Sequence, residues 1–202
     1  MEAKAVEAEL GEVPLQVIGI GATKLCRPSL ENLEGIVLAG LAGALDPTLA
    51  IGDVVIDSDI GVASTPSVRR GKIYASDHLI STAAEKQRLF QESGCLAVDM
   101  ESRIVREMAK SMRLPLLHVR AISDASVDNV SPRVLNWIDD VGRPRTAELL
   151  AGLALHPRQI PAMIRLNRNS RLALRRLAQF IGAIYKAGGW PSAGIAPGRP
   201  DS

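Results

Sequence analysis

The stretch AVDMESRIVREMAKSMRLPLLHVRAISDAS, residues 97–126, places carboxylates where two apolar runs stop: Asp99 and Glu101 after the first, Asp124 after the second. Carboxylates at such positions are equipped for acid–base chemistry on a bound ligand. Glu101 opens a helical stretch, where the helix dipole favours an anion. In open α/β sheets ligands bind beyond the carboxyl ends of the strands. Two neighbouring strands are therefore expected to aim Glu101 and Asp124 into one crevice. Taken singly, each is better explained as a helix-start acid or a turn cap; the pair, each following a buried-type strand, is what points to a site.

The elements that must position these groups follow from the apolar pattern. VPLQVIGI (13–20) reads as a strand running into Gly19 and Gly21, GIVLAG (35–40) as a second, and IGDVVID (51–57) as a third. TPSVRRG reads as loop and KIYAS as a short strand. Thr82 to Ser93 reads as a helix with Leu89 and Phe90 on its apolar side. CLAVDM is a strand. SRIVREMAKSM repeats Ile104, Val105, Met108, Ala109 and Met112 at helical spacing, Pro115 stops that helix, and LLHVRAI is the next strand. Continuous apolar strands alternating with helices imply α/β architecture, with a largely parallel sheet covered on both faces.

Composition bounds the rest. The 202 residues are 47% hydrophobic and 23% charged, a globular balance, with only 3% aromatics, so Leu, Ile, Val and Ala must build the core. Two cysteines, Cys26 and Cys95, make no disulfide framework, and the N-terminal sequence is no signal peptide. The longest apolar stretch, Gly35 to Leu45, is short of the roughly 20 residues a spanning helix needs, so a cytoplasmic protein is expected. His78, His118 and His156 lack metal-ligand spacing, so no metal is expected. His118 reads as a core histidine and Asp53 as a turn former.

Three segments resemble the purine nucleoside phosphorylase and nucleosidase superfamily: GLAGALDPTLAIGDVVI, AVDMES and HVRAISDAS. STAAEKQRLFQESGCLAVDMES and the basic GRPRTAELLAGLALHPRQIPAMIRL are most similar to the hopanoid-biosynthesis-associated phosphorylases, also described as adenosylhopane nucleosidases. This resemblance implies a three-layer sandwich with a central mixed, largely parallel sheet over residues 1–142, and cleavage of a purine N-glycosidic bond. Asp124 would protonate the departing base, and burial would help it keep its proton near neutral pH. Met100 and Glu101 would hold the ribose, with Ser123 and Arg120 orienting the two carboxylates. A structural ion pair is an equal reading for Arg120. Leu79, Ile80 and Val98 would line the base slot, although many relatives place an aromatic ring where Leu79 stands. Glu2 would orient the nucleophile, which is water or inorganic phosphate. Gly21 and Lys24, with Gly40 and Leu41, would supply the nucleophile or phosphate loop. Phosphorylases usually carry Ser or Thr at the place of Leu41. No other cofactor is implied, and a homo-oligomer is.

The C-terminal part differs in charge. From Arg143 to Lys186 nine residues are basic and one is acidic. Within this extension (143–186), residues 160–185 form an amphipathic helix with Ile164, Leu172, Leu177 and Ile181 as its apolar positions. It reads either as a helix packed on the sheet or as one lying at an anionic bilayer, and a lipid-linked nucleoside favours the bilayer. No aromatics interleave the arginines, so nucleic acid is not expected. Residues 187–202 read as a disordered tail. A methylthioadenosine or adenosylhomocysteine nucleosidase is the alternative within the class. An inactive relative binding lipid or nucleic acid is the alternative outside it.

Overall fold

The computed structural model describes residues 16–25, 35–58, 68–132 and 160–187. Six strands form one mixed sheet: β1 (Ile36–Ala44), β2 (Val54–Asp57), β3 (Val68–Arg70), β4 (Ile73–Ala75), β5 (Ala97–Asp99) and β6 (Leu116–Asp124). Their order across the sheet is β3-β2-β6-β1-β5-β4. β1 runs parallel to β6, β2 to β3 and β4 to β5, while β1–β5 and β2–β6 are antiparallel. The sheet is thus mixed, as expected, with three of its five described strand pairings parallel.

Among the described residues three α-helices accompany it: α1 (Ala83–Ser93), α2 (Ser102–Met112) and α3 (Ile160–Lys186). A capping box starts α1. The Thr82 hydroxyl accepts from the Glu85 amide at 3.2 Å, and Glu85 accepts from the Thr82 amide at 3.0 Å. Gly94, at φ 65°, ends it. Arg113, left-handed at φ 54°, closes α2 ahead of Pro115.

One face of the sheet packs under α3. Leu117, Val119 and Ala121 of β6, with Val54, Ile56 and Val68, meet Ala173, Leu177, Ile181 and Ile184. Alternation sends His118 and Arg120 to the other face, towards α2. Helix α3 therefore spends its apolar stripe on the core. Ile164 is 63% exposed and Leu172 is 36% exposed, so these two leave the predicted stripe, which starts only at Ala173. No described helix is long and apolar enough to cross a membrane.

Three local expectations change. Residues 16–19 are not a strand, and Ile20–Ala22 is a 3-10 turn containing Gly21 at φ 63°. TPSVRRG is not all loop: its Val68–Arg70 is an edge strand whose two arginines are exposed, a composition that discourages further pairing. Finally, β5 and β6 are not neighbours. β1 lies between them, and β5 runs opposite to both.

Candidate active site

That topology decides where the carboxylates go. Asp124 ends β6, opposite Gly43 of β1, and Gly43 in turn faces Val98 of β5. Because β5 is antiparallel, the chain beyond Asp99 turns back along the sheet towards Arg120 and away from Asp124. Arg120 and Asp124 lie four residues apart on β6, about 13 Å of extended strand. Adjacent parallel strand ends, the route expected to bring the two carboxylates together, are therefore not what the strands build. Two sets of contacts surround them.

The first is a saturated charge network on the α2 side. Asp99, buried, accepts from Arg120 Nε at 2.7 Å, from the Ser102 hydroxyl at 2.6 Å and from His118 Nε2 at 3.0 Å. Arg106 Nη2 stands 2.9 Å from His118 Nδ1. Arg120 Nε stands 3.0 Å from the other ring nitrogen, Nε2, so the imidazole is held between two guanidinium groups and Asp99. Burial alone would raise Asp99, but the His118 hydrogen bond and the Arg120 charge win and hold its carboxyl well below the usual range. Burial pushes His118 down, seconded by Arg120 and opposed by Asp99, so it is neutral. Arg120 also donates to Glu101 at 3.0 Å. The Gly21 amide donates to the other Glu101 oxygen at 3.1 Å. Arg120 thus both orients Glu101 and forms the ion pair with Asp99.

The second region surrounds Asp124. Its carboxylate lies over Gly43, where a Cβ would come 2.9 Å from Oδ2. Ser123 donates to Oδ1 at 3.0 Å. Lys86 of α1 donates to Oδ2 at 2.5 Å and is itself 0% exposed. A cavity of about 290 Å³ opens beside it, lined in part by Asp128, Val130, Met163, Arg165, Leu166 and Asn169, so α3 forms one wall. Glu101 is not among its lining residues.

The remaining predicted positions divide between these regions and places apart. Val98 and Ile80 pack together around Leu45 and Cys95, Val98 in the same cross-strand row as Asp124. Leu79 is partly buried in the loop before α1, and Met100 is partly buried between Asp99 and Glu101. Gly40 and Leu41 belong to no loop: they lie within β1, paired with Arg120 and Ala121, and Leu41 packs towards α3. Lys24 donates its amide to Ile18 at 2.8 Å, within the turn that carries Gly21. Glu2, Cys26, His156, the start of the C-terminal extension (143–159) and the tail 188–202 lie outside the described residues. Asp53 does form a turn, accepting from the Ala50 amide at 2.9 Å. Among the described residues no group of three His, Cys, Asp or Glu is arranged to hold a metal.

Sequence reasoning missed Lys86. The signal was present, because positions 86, 89 and 90 share one face of α1 and a lysine stands on the apolar stripe. Such a lysine usually reaches back to water. Here the loop after β6 closes over it.

Residues 58–154 match the family model of the Phosphorylase superfamily. No curated protein is similar in sequence. Solved structures share the fold. A 5′-methylthioadenosine/S-adenosylhomocysteine nucleosidase from S. pneumoniae is 20% identical, with 77% of this chain and 70% of that chain covered and a TM-score of 0.53. Futalosine hydrolase of Helicobacter pylori is 14% identical over 77% and 69% of the two chains, TM-score 0.51. The methylthioadenosine/adenosylhomocysteine nucleosidase of Helicobacter pylori is 15% identical with the same coverage and TM-score.

Proposed function

We propose that this chain, matched over residues 58–154 by the Phosphorylase superfamily, cleaves the N-glycosidic bond of a purine nucleoside. One observation carries the reading: Asp124, at the end of β6, is fixed by Ser123 and Lys86 at the wall of an open cavity. The transition state of such a cleavage resembles an oxocarbenium ion, and the purine leaves readily only when its ring nitrogen is protonated. Asp124 faces the base in this reading, with Val98 and Ile80 as the apolar neighbours of the slot. Glu101 is the ribose ligand, with Met100 beneath the sugar. The sugar hydroxyls would replace the Gly21 amide at Glu101 while Arg120 keeps the carboxylate in place.

Water is the nucleophile in this account. Leu41, which packs against the α3 core, offers no hydroxyl for phosphate. Glu2 remains the group proposed to orient the nucleophile. The nucleoside we favour is adenosine carried on a lipid such as a hopane. Val130, Pro132, Ala162, Met163 and Leu166 give the cavity an apolar wall, and Ile160 and Ile164 extend it outward on the exposed start of α3. There the arginines of α3 would meet an anionic bilayer. A small soluble thio-substituted adenosine is the second reading, favoured by the nucleosidases that share the fold.

The test is adenine release from adenosine, methylthioadenosine, adenosylhomocysteine and a lipid-linked adenosine, with and without phosphate. Release from the lipid-linked compound at a rate indifferent to phosphate is expected. Release only from methylthioadenosine moves the assignment to the second reading. Release from none, with liposome binding intact, makes the chain a binding protein.

A further inference from the structure

The cleavage reading needs a proton at the departing purine, and the group facing the cavity, Asp124, has the wholly buried Lys86 ammonium behind it. We propose that Lys86 is the positioning residue that supplies this proton through Asp124, an inference that rests on the cleavage reading.

The ammonium is fully occupied. It donates to Asp124 Oδ2 at 2.5 Å, to the Ala125 carbonyl at 2.9 Å and to the Asp128 carbonyl at 3.1 Å. Both carbonyls belong to the loop after β6, which is tied to the start of α1. Asn129 accepts from the Ala83 amide at 2.8 Å, and the Val130 amide donates to the Ser81 carbonyl at 2.8 Å. The lysine is therefore sealed from water, while the Asp124 side chain stays 15% exposed. Stability does not account for this arrangement, because an apolar pair of similar volume commonly serves a core as well as a buried ion pair does. Desolvated lysines are, by contrast, the ones that give up protons.

The step balances. The C1′–N9 bond breaks and its electron pair leaves with the purine, while water adds to C1′ and loses a proton to solvent. Lys86 passes one proton from Nζ to Oδ2, and the carboxyl group so formed releases it to purine N7. The neutral amine keeps two N–H groups, one for each of its two carbonyl acceptors. Solvent returns a proton to the pair after the base departs. The other charged groups nearby are engaged elsewhere. The Asp128 carboxylate accepts from the Ala125 amide at 3.0 Å, and Arg165 stands 3.7 Å from Asp128.

The experiment compares wild type, Lys86→Met, Lys86→Arg and Asp124→Asn on the fastest-cleaved nucleoside of the panel above, from pH 5 to 8. Arginine keeps the cation but does not yield a proton. Both Lys86 variants are expected to lose about 100-fold in kcat at pH 7, with KM within roughly threefold of wild type. Lys86→Met then regains about tenfold per unit as the pH falls and solvent protonates Asp124 directly, whereas wild type does not. Thermal melting establishes folding, and Lys86→Arg decides where Lys86→Met does not fold. A Lys86→Arg enzyme with more than half of wild-type kcat overturns the proposal, and so does a folded Lys86→Met without acid recovery. Inactive Asp124→Asn beside active Lys86→Met overturns the relay alone. Active Asp124→Asn removes the cleavage reading at this residue and the relay with it.

Discussion

Asp99 and Asp124 are both carboxylates at the ends of strands, both meet a cation, and both touch a serine. Their surroundings differ. Asp99 is closed in by Arg120, His118 and Ser102, and its pairing partners are themselves paired, through Arg106 to Asp57 and through Arg120 to Glu101. Asp124 has one cation, wholly buried behind it, and an open cavity in front. A carboxylate whose every acceptor site is filled by protein works as scaffold. One gripped from behind and open in front is placed for a ligand. Glu101 sits between these cases, anchored by Arg120 on one oxygen and accepting from the Gly21 amide on the other.

The comparison breaks most visibly at Arg120. Replacing it with Met leaves Asp99 buried without its cation, so chemical denaturation should show a loss of about 3–5 kcal/mol. An equally stable variant would mean that the Asp99 side is no scaffold. Next comes Gly43→Ala, whose new Cβ pushes on Asp124 Oδ2 from 2.9 Å. It should lower kcat roughly 10- to 100-fold, since a displacement near 1 Å costs that order, while stability falls by only about 1–3 kcal/mol. Unchanged kcat would put Asp124 outside the chemistry. Glu101→Gln should act on binding, raising KM about tenfold through one weakened charge-assisted hydrogen bond of about 1.5 kcal/mol. A change confined to kcat would contradict its role at the sugar.

The smallest effect concerns His118. Its folded form resists protonation because burial and Arg120 lower it. As pH falls below about 6.5, the unfolded chain takes up a proton that the folded chain refuses, so stability falls with acid. His118→Gln should flatten the denaturation midpoint between pH 7 and 5. A slope identical to wild type would show that His118 is protonated in the fold.

Much of this was legible in the sequence, and the failures have physical causes. The strand ends near Asp57, Asp99 and Asp124, the helix up to Ser93 and the helix stop before Pro115 follow from local rules, and the structure keeps them, whereas β1 runs past Gly40 to Ala44. Whether β5 and β6 lie side by side is a matter of pairing over 20 residues or more of chain, which no local pattern carries. That is why Glu101 and Asp124 are expected at the ends of adjacent strands, where β1 in fact lies between them. Lys86 was overlooked because a lysine on an apolar stripe normally reaches water, and only the loop that closes over it prevents this. Ile164 was placed on the buried stripe because helical periodicity continues past the point where the sheet beneath stops. Strand β3 escaped because two exposed arginines in three residues leave almost no apolar alternation to read.

The most direct test is the rate of adenine release by Asp124→Asn against wild type at pH 7, on the fastest-cleaved nucleoside, with melting curves to establish folding. A loss of about 1,000-fold in kcat, the order expected for removing a proton-transferring group, is the predicted result. A folded Asp124→Asn protein that releases adenine at the wild-type rate would contradict the account.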